Sequence, residues 1–315
     1  MNTRIRTGRV EVPSSAARPR AAARGAGVAA LLLACSVAVA PAATTINATD
    51  NNVYGANVGW INLAGDTANG VVIGEYVCSG YAWGANVGWI NFGGGTPTNG
   101  IRYGNASAAD FGVNLDPLGN LSGDAWGANI GWIVFEPTFG QPRVNLQSGV
   151  FSGAAWGANV GWISLDDLTS HVFVARTDSI RRGADTNGNG IPDAFELETV
   201  GNLTTFTATS DTDHDSSRDV SEWLAGTNPL DSNDWLHVTS YALQTGGVTS
   251  RVTWASTLSR FYNVQVTGCL TGTPAWADSG LGLQIPDGAS TTRNVPLPVT
   301  SNRFYRVQAV RPLLN

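Results

Sequence analysis

Four stretches of this chain are near copies of one phrase. "GYAWGANVGWINF" at residues 80–92 returns as "DAWGANIGWIVF" at 124–135 and "AAWGANVGWISL" at 154–165, and "VYGANVGWINL" at 53–63 carries Tyr54 where the others carry tryptophan. Repetition of this kind constrains the fold more than composition does. One unit cannot bury its apolar face alone, so copies must stack or close on one another around a shared core. Longer units begin at Val71, Val113 and Val144, and each reads as three short strands joined by glycine turns. No helical period appears between Thr44 and Ile180. A propeller, a barrel and a solenoid all satisfy the pattern.

The tryptophans sit six positions apart, as Trp83/Trp89, Trp126/Trp132 and Trp156/Trp162. The intervening Gly-Ala-Asn-x-Gly holds glycines and an asparagine, which tolerate positive φ and suit a tight turn. If that turn closes a hairpin, the two rings become cross-strand neighbours, worth roughly 0.2–1 kcal/mol per pair. Burying a ring contributes more, on the order of 1.5–3 kcal/mol. Because Ala, Gly and Ile recur around the rings, the tryptophans are expected to be core. The competing expectation is a ligand platform, with Trp83, Trp89, Trp126, Trp132, Trp156 and Trp162 exposed to stack on sugar rings.

Between residues 181 and 234 the composition changes: acidic residues gather, glycine falls, and "FELETV" and "VSEWLAG" read as short helices. "DTNGNGIPDAFE" fits a twelve-residue calcium loop, with Asp185, Asn187, Asn189, the carbonyl of Ile191, Asp193 and Glu196 at the ligand positions and Gly190 at the sharp turn. Hard, flexible calcium coordination needs six to eight oxygens, and the alternating spacing turns successive side chains toward one ion. "DTDHDSSRDVSE" repeats the frame with Asp211, Asp213, Asp215, Ser217 (through its carbonyl), Asp219 and Glu222. Ser216 replaces the turn glycine, a strain of roughly 1–2 kcal/mol, set against five clustered carboxylates that repel one another without a cation. Calcium binding at both loops is therefore expected.

On these residues, with "AGTNPLD" following, the segment resembles bacterial thrombospondin type 3-like calcium repeats, and less a dockerin, whose loops precede longer helices. The resemblance implies a secreted, calcium-stiffened connector in a surface or matrix protein. Beyond Trp235, "SRVTWAS", "RFYNVQV" and "RFYRVQAV" alternate polar and apolar residues in β fashion. This region is similar to the immunoglobulin-like or fibronectin-like sandwiches that end many secreted bacterial proteins. The Trp-Gly phrases resemble repeats of exported bacterial proteins to which no activity attaches.

An arginine-rich start followed by "VAALLLACSVAVAPA" reads as a secretory signal cleaved near Ala42, with Cys35 a weaker lipidation site. The apolar run is too short for a permanent membrane span. Losing residues 1–42 removes six of the 18 basic residues and one of the 24 acidic ones, leaving a formal charge near −11 with no lysine. Such a surface disfavours nucleic acid and anionic membranes. Cys78 and Cys269 are expected to remain separate thiols. No serine elbow or second metal-spacing histidine accompanies His171, His214 lies at an outward-pointing position of the second loop, His237 starts a predicted strand, and nothing selects Glu136 or Asp166 as a glycosidase pair. No catalysis is expected.

The sequence thus predicts a mainly β protein: signal peptide 1–42, Trp-Gly β-repeat domain 44–180, calcium-binding connector 181–234 and C-terminal β-sandwich 235–315. Its expected role is a secreted, calcium-binding, non-catalytic surface or matrix protein, structural or adhesive, facing polysaccharide or a cell-surface protein. The alternatives are a carbohydrate-binding module using exposed tryptophans and, third, a hydrolase with an unrecognised site.

Overall fold

Each repeated phrase folds as a β-hairpin, and the four hairpins close into one barrel. The computed structural model describes residues 44–315, apart from 67, 245, 247–248, 297–302 and 315. The signal segment and Cys35 lie outside the described residues. The barrel strands are β1 (Asn52–Gly55), β2 (Gly59–Asn62), β3 (Cys78–Gly84), β4 (Gly88–Gly94), β5 (Leu121–Gly127), β6 (Gly131–Phe135), β7 (Ala154–Gly157) and β8 (Gly161–Ser164). Every strand pairs antiparallel with its neighbours in sequence, and β8 pairs with β1 to complete the circuit.

Register fixes the geometry. Trp60 faces Tyr54, yet Asn62, two residues on, faces Trp83. The same two-residue step joins each hairpin to the next, so the circuit accumulates a shear of eight. Eight strands at that shear tilt by roughly 36° and leave an interior just wide enough for side chains. A layer of eight fills it: Val53, Ile61, Ala82, Ile90, Ala125, Ile133, Ala155 and Ile163, all buried, with isoleucine on alternate strands and a smaller residue between. Val58, Val87, Ile130 and Val160 from the turns plug the hairpin end.

The tryptophans face outward, which corrects the expectation that they form the core. Strand alternation sends Ala and Ile to one face and Trp to the other, and a barrel this narrow has room only for the smaller set. Residues recurring beside the rings in sequence are on the opposite side of the sheet in space.

The turn chemistry is also corrected. The second glycine of each phrase does take positive φ (Gly88 at 77°), but none of the four loop asparagines does. Their work is done by the side chain. Asn86 Nδ2 donates to the carbonyl of Val58 at 3.0 Å, Asn129 to Val87 at 3.1 Å, Asn159 to Ile130 at 3.0 Å and Asn57 to Val160 at 3.0 Å. Each hairpin clamps the one before it, and the ring of four bonds closes on itself. The first glycine is required by close approach: a Cβ on Gly84 would lie 2.6 Å from Val87 Cγ2.

Two short helices follow, α1 (Asp193–Thr199) and α2 (Asp219–Ala225), around a small core of Ile191, Phe206 and Trp223. Beyond them β9 (Val238–Leu243), β10 (Thr249–Ala255) and β13 (Ser290–Pro296) form one antiparallel sheet. Strands β11 (Phe261–Thr267), β12 (Ala277–Gln284) and β14 (Phe304–Val310) form another. The echoing "RFYNVQ" and "RFYRVQ" segments are direct partners, with Val264 opposite Val307. After β14 the chain returns to the barrel: Leu313 and Leu314 pack on its core, and Arg311 pairs with Glu75. Cys78 is buried and Cys269 exposed, both as free thiols. No helix among the described residues is long and apolar enough to cross a membrane.

Candidate functional site

Two constellations stand out: the aromatic belt on the barrel wall and the pair of acidic loops. In the belt, the hairpins place Tyr54 opposite Trp60, Trp83 opposite Trp89, Trp126 opposite Trp132 and Trp156 opposite Trp162. Ring centroids within each pair lie 4.6–5.0 Å apart, with planes tilted by 57–62°. Tilted contact of this kind is worth about 0.5–1.5 kcal/mol beyond area burial. Each ring covers much of its mate, and the seven tryptophans of the belt remain 37–47% exposed. Together the rings leave a partly exposed aromatic belt around the barrel wall.

The four pairs are not equally covered. His171 stacks on Tyr54 at 4.6 Å and Phe173 meets Trp60 at 5.0 Å. Tyr81 meets Trp89 at 6.5 Å, and Phe111 meets Trp132 at 5.1 Å. His171 Nδ1 also pairs with Asp167 at 2.9 Å, which helps hold that carboxyl well below its ordinary range, after the Ser170 amide. His214 and His237 bond to nearby carbonyls. Glu136 closes a tight turn through the amides of Thr138 and Phe139, at 2.8 Å each.

In the first acidic loop Asp185 accepts from the amides of Asn189 at 3.1 Å and Gly190 at 2.9 Å. Glu196, on the first turn of α1, is fully buried and accepts from Asn187 and Asn189 at 3.0–3.2 Å. The same side chains donate to the carbonyls of Leu203 at 2.9 Å and Phe206 at 3.1 Å, and their Oδ1 atoms accept from the amides of Asn189 and Ile191. Burial raises the pKa of Glu196, and the two asparagines oppose that rise.

The second loop is less self-sufficient. Carboxylate oxygens of Asp211, Asp213 and Asp215 lie within 4.8 Å of one another. Glu222 is fully buried beside them. Asp211 Oδ1, Asp213 Oδ2, Asp215 Oδ2 and Glu222 Oε2 are buried with no hydrogen-bond partner. Burial, followed by the charges of Asp213, Asp215 and Asp219, pushes Glu222 up to about 8. Unsatisfied buried oxygens of this kind cost about 1–3 kcal/mol each, more when charged. The three clustered aspartates, with Glu222 buried nearby, are a set of hard anionic oxygens that fits a divalent, oxygen-seeking cation such as calcium. Asp211, Asp213, Asp215 and Glu222 are the residues that would hold it.

The other expected ligands are placed differently. Asp219 accepts from Thr212 N and Thr212 Oγ1 at 2.9 Å each, and Asp193 accepts from Thr186 N at 2.8 Å. Both tie the loop's start to its helix. Ile191 and Ser217 direct their amides to Asn189 and Asp215 within the loops. Ser216 sits at φ 78° in the place of the missing glycine.

Three arginines that the motif spacing did not single out hold this region in place. Arg182 lies 4.5 Å over the Trp223 ring and donates to the carbonyl of Gly190; Arg311 lies 5.6 Å over the same ring. Arg260 reaches from the C-terminal sheets to the end of α2, donating to the carbonyls of Leu224 at 2.8 Å and Trp223 at 2.7 Å. It satisfies carbonyls that the helix leaves open, and burial pulls its pKa down to about 10. Nothing in spacing signals contacts this distant in sequence. Comparison with protein-family models, curated proteins and solved structures finds no match.

Proposed function

We propose that this chain is a secreted, non-catalytic adhesive module of a bacterial surface or matrix, stiffened by calcium at its two acidic loops. Its β-repeat barrel would hold a polysaccharide on the aromatic belt, with the connector and a C-terminal β-sandwich as spacer. The observation that carries the ligand reading is the outward, partly exposed placement of seven tryptophans, Trp60 among them. The calcium reading rests on the partnerless buried carboxylate oxygens and on the likeness to thrombospondin type 3 loops. Electrophoresis of the full chain through gels containing neutral polysaccharides, in calcium buffer, tests the first. Retardation by at least one polymer is expected, and free migration in every gel would remove polysaccharide from the proposal. A purely structural belt is the second reading, favoured by the pairwise contacts that cover more than half of each ring.

A further inference from the structure

The fourth hairpin is the exception within the belt. At the strand position where the second hairpin has Tyr81, it has Ala154, and no further aromatic ring packs on Trp162 beyond Trp156 among the described residues. A shallow, open cleft of about 280 Å³ lies there, lined by Phe139, Gly140, Ala154, Trp162, Ser164 and Asp166. The backbone there is close-fitting: a Cβ on Gly140 would stand 2.1 Å from the carbonyl oxygen of Ala154 and 3.1 Å from Trp162 Cζ3.

Phe139 is the most exposed large apolar side chain among the described residues, at 83%. The turn that carries it is held by hydrogen bonds. Glu136 accepts from the amides of Thr138 and Phe139 at 2.8 Å, and Gln141 returns its amide to the Glu136 carbonyl at 3.3 Å. Polar groups stand at one end of the cleft. Asp166 Oδ1 accepts from Gly153 N at 3.2 Å, and Asp166 Oδ2 has no partner among the described residues. Ser164 Oγ donates to the Asp166 carbonyl at 2.7 Å, leaving its lone pairs available. No arginine lines the cleft.

We infer that this cleft is the principal sugar subsite of the belt, taking one neutral pyranose ring of a polysaccharide. The inference rests on the polysaccharide reading above and adds its location and ligand class. Two aromatic side chains, Trp162 and Phe139, line the cleft and offer apolar surface to the C–H face of a pyranose, and the Asp166 carboxylate can accept hydrogen bonds from its hydroxyls. The volume is near the small end of ligand sites, suited to one ring rather than a longer segment. A carboxylate with no basic side chain lining the cleft disfavours uronic acids and sulfated sugars.

The test compares variants of the full chain in calcium buffer, by electrophoresis in whichever neutral polysaccharide retards the wild type and by titration with its hexasaccharide. Phe139→Ala removes an exposed ring and leaves the core alone. Asp166→Asn removes the acceptor charge. Trp162→Tyr keeps a cross-strand pair of the kind Tyr54 and Trp60 already form. Each is expected to weaken binding about tenfold, the order of one lost stacking or polar contact. Trp83→Tyr in the second hairpin is expected to change it less than about threefold. Retardation of the wild type with no loss in Phe139→Ala and Asp166→Asn would overturn the cleft and leave the belt. Loss of equal size in Trp83→Tyr and Trp162→Tyr would also overturn it. A wild type that migrates freely in every gel would refute the belt and the cleft together. Saturable binding of tetramethylammonium, abolished by Asp166→Asn without any response to the sugars, would reassign the cleft to cations.

Discussion

In the barrel, Asn57, Asn86, Asn129 and Asn159 each satisfy one carbonyl on the neighbouring hairpin. In the connector, by contrast, Asp211, Asp213, Asp215 and Glu222 each keep a buried oxygen with nothing to accept from. The barrel completes its own bonding because four near-copy hairpins supply donor and acceptor in turn, over a layer of Ala, Ile and Val53. The second loop of the connector gathers carboxylates, whose partnerless oxygens a cation would satisfy. The difference teaches where each region's stability would come from: packing and closure in one and, on the proposed calcium reading, a bound ion in the other.

The largest effect that separates them is a core deletion. Ile90→Ala should destabilise the barrel by about 2–5 kcal/mol, since the closed wall relaxes little around the void. Denaturant unfolding should give the same loss in calcium and in chelator. A loss that depends on calcium would break the comparison.

Next in size is the ion itself. If the loops bind calcium with the roughly 10⁻⁴–10⁻³ M affinity of extracellular modules, a hundredfold excess should stabilise the connector by about 2.7 kcal/mol. Trp223 fluorescence on unfolding reports it. Proton linkage sharpens this. In the metal-free fold Glu222 is raised to about 8. Its contribution to stability is then fully present below its unfolded value and is lost as pH rises through about 8. Metal-free connector should weaken between about pH 5 and 8, and calcium uptake at neutral pH should release protons. Calorimetry in buffers of different ionisation heat measures that release, and Glu222→Gln should abolish it.

A smaller effect is expected from the belt. Trp89→Ala removes a tilted pair and half-covered surface, so the barrel should lose only about 1–2 kcal/mol and stay folded. Thermal melts check this; a loss on the scale of Ile90→Ala would mean that the rings are structural after all. The smallest change is Ser216→Gly. Relieving a left-handed serine at φ 78° should tighten the second loop by about 1 kcal/mol, read by calcium titration. Weakening would assign Ser216 a role beyond the turn.

Much of this was legible in the sequence. The hairpins, the ring pairing and the need for the copies to share a core follow from six-residue spacing and repetition. The two loops and their helices follow from the alternation of acidic residues and asparagine. The face taken by tryptophan was not legible, because alternation divides Ala and Ile from Trp without saying which set is inside. Barrel radius decides that, and radius follows from register steps such as Asn62 opposite Trp83. The repeated asparagine was visible but suggested backbone freedom rather than a clamp between hairpins. Arg260 on Leu224 and Arg311 on Glu75 join residues far apart in the chain, and Phe139 stands outside the repeated phrase. No local pattern points to any of them.

Hydrogen exchange in millimolar calcium and in chelator tests the contrast between the two regions most directly. The account predicts that amides of residues 185–196 and 211–222 gain protection with calcium, while Ile90, Ile133 and Ile163 exchange at the same slow rate in both. Barrel amides that respond as strongly as the loops, or loops that do not respond at all, would contradict it.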